Sequence, residues 1–183
     1  SDTLSTKFER TAGVRPVTYG HRMVDSMEAV ARRQHGLVTR RQALDSGQTP
    51  SAIRHLERTG RWHRVAHGVY RLEGAPDTDR QRLLAAILAC RQPAFACRTT
   101  AAALYGLPGY TVRPFHVVTH IASTTTIPIA TAHRTNRIDV RAQSVVDGIP
   151  TTTLPRTLFD LCGCVPFARA ERAVETALAR RLV

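Results

Sequence analysis

Residues 39–60 read TRRQALDSGQTPSAIRHLERTG and constrain the fold more than any other stretch of the chain. Thr39 and Gln42 have the spacing of a capping box, in which each side chain satisfies a backbone amide at the start of a helix. Gly47 suits a left-handed turn after that helix. Thr49 then caps a further helix that has proline at its first position, where no amide is needed. We therefore predict two short helices joined by a tight turn.

The flanking segments complete a winged helix-turn-helix. Residues 23–34 place apolar side chains at i, i+4, i+7 and i+8 from Met23, which predicts a first helix. After the two short helices, residues 61–72 read RWHRVAHGVYRL, with β-forming residues on either side of His67-Gly68, which is typical of a hairpin. Three helices followed by a hairpin predict a winged helix-turn-helix.

Changes in composition divide the chain into three parts. Residues 1–20 are polar and aperiodic, which predicts a flexible tail. We assign residues 21–74 to the winged helix-turn-helix domain, because a Glu-Gly-Ala-Pro stretch at 73–76 marks a boundary. Residues 75–183 alternate helical and strand patterns, so the second domain and the whole chain are expected to be of the α+β class.

The charge of the chain indicates a polyanionic partner. Lys and Arg number 26 against 14 Asp and Glu, a net charge of +12, and Lys7 is the only lysine. Arginine guanidinium groups suit phosphates and guanine edges. Arg40 and Arg41 lie in the first turn of the second helix, where cations oppose the helix dipole by roughly 0.3–1 kcal/mol each. A phosphate at that position would reverse the sign, so double-stranded DNA is the predicted partner.

The outward side of the third helix supplies the candidate base contacts. Ile53 and Leu56 are expected to face inward, and Arg54 has the position to contact guanine, a contact worth ~1–3 kcal/mol of discrimination. An ordinary solvated helix face is the alternative interpretation of the same pattern. The predicted DNA-binding residues are Arg40, Arg41, Gln48, Thr49, Ser51, Arg54, His55, Arg58, Arg61, His63, Arg64 and His67.

Other chemistry has weaker support, and we predict no catalytic residue, cofactor or metal site. His116 and His120 share a strand face but lie ~13 Å apart, so one metal ion needs further ligands such as His133. Cys162 and Cys164 form a Cys-x-Cys pair, for which a turn beside a core helix is the alternative to metal binding or redox chemistry. A nuclease of the usual Asp…Asp/Glu-x-Lys type needs a lysine, and the only lysine of the chain, Lys7, lies in the predicted tail. The sequence also has no glycine loop of the kind that binds phosphate.

Cysteine usage and hydropathy indicate a cytoplasmic protein. The four cysteines contain no Cys-x-x-Cys pair and do not have the spacing of a disulfide framework. No apolar run approaches ~18 residues, and the N-terminus lacks the core of a signal peptide. We therefore expect a reducing compartment and no membrane partner.

The stretch GLVTRRQALDSGQTPSAIRHLERTGRWHRVAHGVYRL resembles the winged-helix domain of AbiEi-type antitoxins from type IV toxin–antitoxin systems. The wing pattern of that family is matched by Gly60, Trp62, Gly68, Val69 and Tyr70. The segments RTTAAALYGLP and DGIPTTTLPRTLFDL resemble recurring parts of the family's second domain, so the similarity extends over most of residues 27–183. Many relatives continue into a domain resembling very-short-patch-repair endonucleases. This chain ends at Val183, where that domain would begin, so nuclease activity is not expected.

The resemblance implies a DNA-binding autoregulator that represses its own operon and antagonises a nucleotidyltransferase toxin. The leading hypothesis is therefore a sequence-specific transcriptional regulator without enzymatic activity, whose second domain binds a partner or supports a homodimer. The first alternative is a protein-interaction module that neutralises the toxin without binding an operator. The second is the targeting part of a DNA-processing enzyme.

Overall fold

The computed structural model describes residues 21–120, 129–136 and 139–182, so the tail predicted at residues 1–20 lies outside the described residues. The elements are α1 (His21–Arg33), β1 (Leu37–Thr39), α2 (Arg40–Asp45), α3 (Pro50–Arg58), β2 (Trp62–Ala66), β3 (Val69–Leu72), α4 (Asp79–Leu88), β4 (Ala94–Ala96), α5 (Arg98–Leu104), β5 (Phe115–His120), β6 (Ala130–Thr135), a 3-10 helix (Val140–Ala142), β7 (Gln143–Val146), β8 (Ile149–Thr152), α6 (Leu154–Cys162) and α7 (Phe167–Ala179). These helices and two sheets confirm the α+β class. In the described part of the chain, none of the helices is long and apolar enough to cross a membrane.

The first three helices and the first sheet have an arrangement compatible with a winged helix-turn-helix. The sheet has the order β1-β3-β2 and is antiparallel, with β2 and β3 forming the predicted hairpin. Val38 and Tyr70 face the helices and pack in one cluster with Ile53 of α3. Leu37 and Val69 point to the opposite face, because successive strand residues alternate between faces. Both faces of this small sheet are therefore covered.

The second sheet shares a hydrophobic core with the first. Its five strands have the order β6-β5-β4-β8-β7, and α4 packs between the two sheets. Leu83 and Leu84 of α4 join Leu37 and Val69 of the first sheet and Ile149 of β8 in one buried cluster. The predicted division of the chain near residue 75 stays a prediction, and a continuous core crosses that position.

Polar contacts fix α1 and β1 against the second sheet, and we call this set of contacts the junction. The side-chain amide of Gln81 donates to the carbonyl of His35 at 2.6 Å. The His35 ring lies 2.7 Å from the carbonyl of Asp147, and Arg80 binds the Asp147 carboxylate at 2.9 Å. Gly148 lies so close to α1 that a Cβ atom would meet the carbonyl of the helix's last residue. The close packing at the junction therefore leaves room only for glycine at position 148, in the turn between β7 and β8.

Three short strands were not predicted from the sequence, namely β1, β4 and β8. Each contains three or four residues. Such lengths give too little alternation to identify a strand. The antiparallel partners of β1 and β4 also lie far away in the sequence, whereas β8 pairs with β7 across the two-residue turn Asp147-Gly148. The predicted capping residues and turns, in contrast, depend on neighbours within a few positions.

Candidate nucleic-acid interface

The start of α2 has the predicted capping box. The backbone amide of Gln42 donates to Oγ1 of Thr39 at 3.1 Å, and the amide of Thr39 donates to Oε1 of Gln42 at 2.8 Å. The first turn of the helix contains no acidic residue. Gly47 follows the helix with φ of +90°, as the predicted left-handed turn requires. The turn therefore directs the chain into α3.

Helix α3 is anchored by one buried side chain and exposes a polar stripe on the opposite side. Ile53 is completely buried and Leu56 is partly buried. The exposed residues have spacings of i, i+3, i+4 and i+7, which places them on one face of a helix. We call this set the α3 stripe: Ser51, Arg54, His55 and Arg58.

The contacts within the α3 stripe leave Arg54 without a partner among the described residues. Oγ1 of Thr49 caps the helix by accepting from the amide of Ala52 at 3.1 Å and lies 2.9 Å from the hydroxyl of Ser51. Arg58 lies 3.1 Å from the Nδ1 atom of His55. Among the described residues, the guanidinium of Arg54 makes no hydrogen bond or ion pair. It is therefore available to a ligand outside the chain.

The wing places its basic residues on two different faces. Arg64 pairs with Tyr70 across the β2–β3 hairpin, and residues directly opposite each other project from the same face. Arg64 therefore lies on the face that covers α2 and α3. His63 pairs with Arg71 and projects from the other face. The structure thus separates His63 from the α3 stripe and brings Arg64 to the helical side.

The tip of the wing is bound to the start of α2. The backbone amide of Arg40 donates to the carbonyl of Gly68 at 2.7 Å. His67 precedes this glycine and is exposed. Basic side chains from α2 and from the wing therefore emerge close together, although they are separated by many residues in the sequence.

The remaining predicted DNA-binding residues differ from one another in exposure and in their contacts. Arg41 is exposed and forms an ion pair with Asp45 at 3.6 Å. Arg61 is exposed and has no partner among the described side chains, whereas Gln48 is half-buried at the turn before α3. Sequence reasoning did not identify Gly68 as the residue that positions Arg40, because their contact is not local.

Four arginines of this surface have no carboxylate partner. Within the described residues, no ion pair involves Arg40, Arg54, Arg61 or Arg64 of this surface. Arginines near the junction have aspartate partners instead, and the bidentate contact from Arg82 holds the pKa of Asp77 below its ordinary value. The candidate interface therefore presents four arginines whose charge is neutralised by no carboxylate of the described residues, as is also true of arginines elsewhere, such as Arg91 and Arg172.

The histidines considered for metal binding form a pair on adjacent parallel strands. Nδ1 of His116 lies 3.1 Å from Nε2 of His133. Burial, and to a smaller extent the positive charge of Arg98, lowers the pKa of both histidines. The described ranges contain no group of three or more side chains able to hold a metal ion.

The cysteines divide into buried and exposed thiols. Burial raises the pKa of Cys97 to about 12, which makes this thiol unreactive at neutral pH. Cys162 and Cys164 are exposed at the end of α6, and the thiol of Cys162 donates to the carbonyl of Leu158 at 3.4 Å. The Cys-x-Cys pair thus lies at the end of α6, which agrees with the interpretation of this pair as part of a turn beside a core helix.

Comparisons with known proteins identify a family for the first part of the chain. Residues 25–72 match the family model described as "Transcriptional regulator, AbiEi antitoxin". No curated protein matches the chain. A solved structure, that of the RV2827C protein from Mycobacterium tuberculosis, is similar with 16% identity and a TM-score of 0.47, covering 85% of this chain and 72% of that one. The similarity predicted beyond residue 72 stays a prediction.

The matched residues comprise α2, α3, the wing and most of α1, so the family assignment and the candidate interface concern the same part of the chain. This family is one of regulators rather than of enzymes. Residues 25–72 thus confirm the predicted resemblance to the AbiEi antitoxin family of transcriptional regulators.

Proposed function

We propose that this chain is a sequence-specific regulator that binds double-stranded DNA through α2, α3 and the wing. The α3 stripe carries this proposal, because it presents an unpaired guanidinium at Arg54 between the exposed side chains of Ser51 and Arg58. Because no described residue binds the guanidinium of Arg54, its five N–H donors are open to a ligand. A guanine edge offers it two acceptors in the geometry of its fork.

In this proposal the three elements have different tasks. Helix α3 enters the major groove, with Ser51, Arg54 and His55 near base edges and Thr49 and Gln48 at its N-terminal end. Arg40 and Arg41 of α2 contact phosphates. From the wing, Arg61, Arg64, His63 and His67 contact the backbone or the minor groove, and the Arg40–Gly68 hydrogen bond keeps the wing in register with α2. Phosphate contacts orient the protein, and base contacts select the sequence.

The family match supports the biological part of the proposal. The chain acts in the cytoplasm as an antitoxin that represses its own promoter and antagonises a nucleotidyltransferase toxin. It needs no cofactor and performs no catalysis. Residues 75–183 bind the toxin or its gene product, or they support a homodimer.

Competition between duplexes tests the proposal. A labelled duplex from the promoter of the chain's own gene is bound at ~150 mM salt, where nonspecific electrostatic binding is weakened. We expect an unlabelled promoter duplex to compete far better than a scrambled duplex of the same composition, because specific sites typically bind at least ~10³-fold more tightly. Equal competition by the two duplexes would refute sequence-specific regulation.

A second candidate function, toxin neutralisation by direct protein contact, is favoured by two exposed aromatic residues. Phe159 of α6 is 76% exposed and Phe167 of α7 is 80% exposed. Exposed phenylalanines are unfavourable in water and are enriched where proteins associate.

Substitution of these residues separates the two candidate functions. Phe159→Ser with Phe167→Ser is expected to weaken rescue of growth from a co-expressed nucleotidyltransferase toxin while promoter binding is retained. Val145→Ser, at another exposed apolar side chain, is the matched control. Unchanged rescue by the double variant would reject the protein-contact candidate.

A further inference from the structure

A cavity opens beside α3 at the point where the core of the winged helix-turn-helix reaches solvent. Its volume is about 390 Å³, which is within the range of small-molecule sites. Met27 and Trp62 form a buried apolar floor, and the partly buried Leu56 and Leu72 extend it. The apolar part of a small ligand could therefore bind in this cavity without rearrangement of the core.

Two carboxylates give this cavity a charge opposite to that of the chain as a whole. Glu28 of α1 and Glu73 after β3 line it, and both side chains are exposed. Neither carboxylate has an ion-pair partner among the described residues, whereas the aspartates Asp77, Asp79 and Asp147 are all paired with arginine. In a chain with net charge +12, two unpaired acids on one concave surface are an unusual concentration of negative charge.

A second cavity continues the first. It has a volume of about 540 Å³, shares Glu28, Leu72 and Glu73 with the first cavity, and is also lined by Arg32 and His35. The two carboxylates stand where the cavities adjoin. The first cavity has one cation in its wall, Arg61, whose carbonyl accepts from the amide of Glu73 at 2.9 Å. One guanidinium against two carboxylates leaves the wall of the first cavity with a net negative charge.

We propose that this cavity binds a small organic cation that has an aromatic or aliphatic body, such as an arylalkylamine. The apolar part rests on Met27, Leu56 and Trp62, and the ammonium group lies between Glu28 and Glu73. An aromatic floor adds attraction for a cation that approaches its ring face. A neutral analogue gains only the apolar contacts, and an anionic analogue meets like charges.

Trp62 makes the proposal directly measurable, because it is the only tryptophan in the chain and lies in the cavity floor. The full chain is titrated with 2-phenylethylamine, 2-phenylethanol and phenylacetate while the emission of Trp62 is recorded. Isothermal titration with the same compounds gives the stoichiometry. We expect a saturable change with one amine per chain, and binding of the alcohol and the acid on the order of tenfold weaker.

Charge-neutralising variants test the assignment of the carboxylates. Glu28→Gln with Glu73→Gln is expected to lower the affinity for the amine on the order of tenfold and to leave that for the alcohol unchanged. Glu171→Gln, an exposed carboxylate on α7, is the matched control and should behave like the parent chain.

Three results would overturn the proposal. These are an equal response to all three compounds, an amine affinity that the double variant retains, and a Trp62 emission that changes with protein concentration alone. The last result would assign the cavity to a second copy of the chain. The test contains no DNA, so its failure would leave the proposed regulator function standing.

Discussion

The arginines of the candidate nucleic-acid interface and those near the junction have the same chemistry but differ in their partners. Arg54 on α3 and Arg64 on the wing are exposed and have no ion-pair partner among the described residues. Near the junction, Arg80, Arg82 and Arg113 each bind an aspartate at 2.7–2.9 Å. The paired arginines contact carboxylates of the fold, whereas no carboxylate of the described residues neutralises Arg54 or Arg64. Composition alone does not separate these two groups.

Adding a methyl group at the turn of the junction is expected to produce the largest effect. A Cβ atom at Gly148, where φ is +72°, would meet the carbonyl of the last residue of α1. Gly148→Ala should lower the free energy of unfolding by about 2–4 kcal/mol, since backbone strain and overpacking add. Urea denaturation measures this change.

Gly109→Ala is the control for backbone strain alone. Its φ is +80° and a Cβ atom there meets nothing within 4 Å. We expect a loss of about 1–2 kcal/mol. Equal losses in the two variants would mean that the close packing of the junction has no energetic importance.

Removing phosphate contacts should change the salt dependence of DNA binding. Arg40→Ala with Arg64→Ala is expected to reduce the slope of log affinity against log salt by about 2, because each phosphate contact contributes ~0.9. Fluorescence anisotropy at several salt concentrations measures the slope. The same slope as in the parent chain would show that neither guanidinium contacts a phosphate.

Substitution of one paired arginine near the junction tests the other half of this comparison. Nε of Arg113 lies 2.7 Å from Oδ1 of Asp79, and both side chains are about half exposed. Arg113→Ala should cost no more than about 1 kcal/mol of stability, because solvent screens such pairs. Promoter affinity should stay the same, and a loss of affinity larger than the loss of stability would contradict the assignment.

The smallest expected effect is a dependence of stability on pH near the paired histidines. Burial lowers the pKa of His116 and His133 below the ordinary value of 6.5. Below about pH 6.5 the unfolded chain then binds more protons than the folded chain, so stability falls as the pH decreases toward the folded pKa values. His116→Gln with His133→Gln should reduce this fall in urea denaturation between pH 7.5 and 5.

The exposed His67 on the wing provides the control for this titration, as His67→Gln. That variant should retain the pH dependence of the parent chain. If the double variant also retained it, the partly buried pair His116 and His133 would not be its source.

The sequence predicted those features that depend on near neighbours. The Thr39–Gln42 capping box, the Gly47 turn and the burial of Ile53 follow from residues within a few positions of one another, and all three are confirmed. The predicted DNA contacts stay predictions, although the structure exposes most of these side chains.

The sequence did not predict which charges the fold neutralises. Arg80 and Asp147 lie 67 residues apart in the sequence, and Arg113 and Asp79 lie 34 apart. Their proximity depends on how α4 packs against the second sheet. Which arginines have a carboxylate partner is therefore visible only in the folded chain.

The most direct test compares Arg54→Ala with Arg82→Ala in one assay. Arg82 binds Asp77 through two hydrogen bonds of 2.7 Å, whereas Arg54 has no partner among the described residues. We predict that Arg54→Ala lowers the affinity for the promoter duplex about 5- to 150-fold without a loss of stability. We predict that Arg82→Ala leaves this affinity within about twofold. Equal losses of affinity in the two variants would contradict the account.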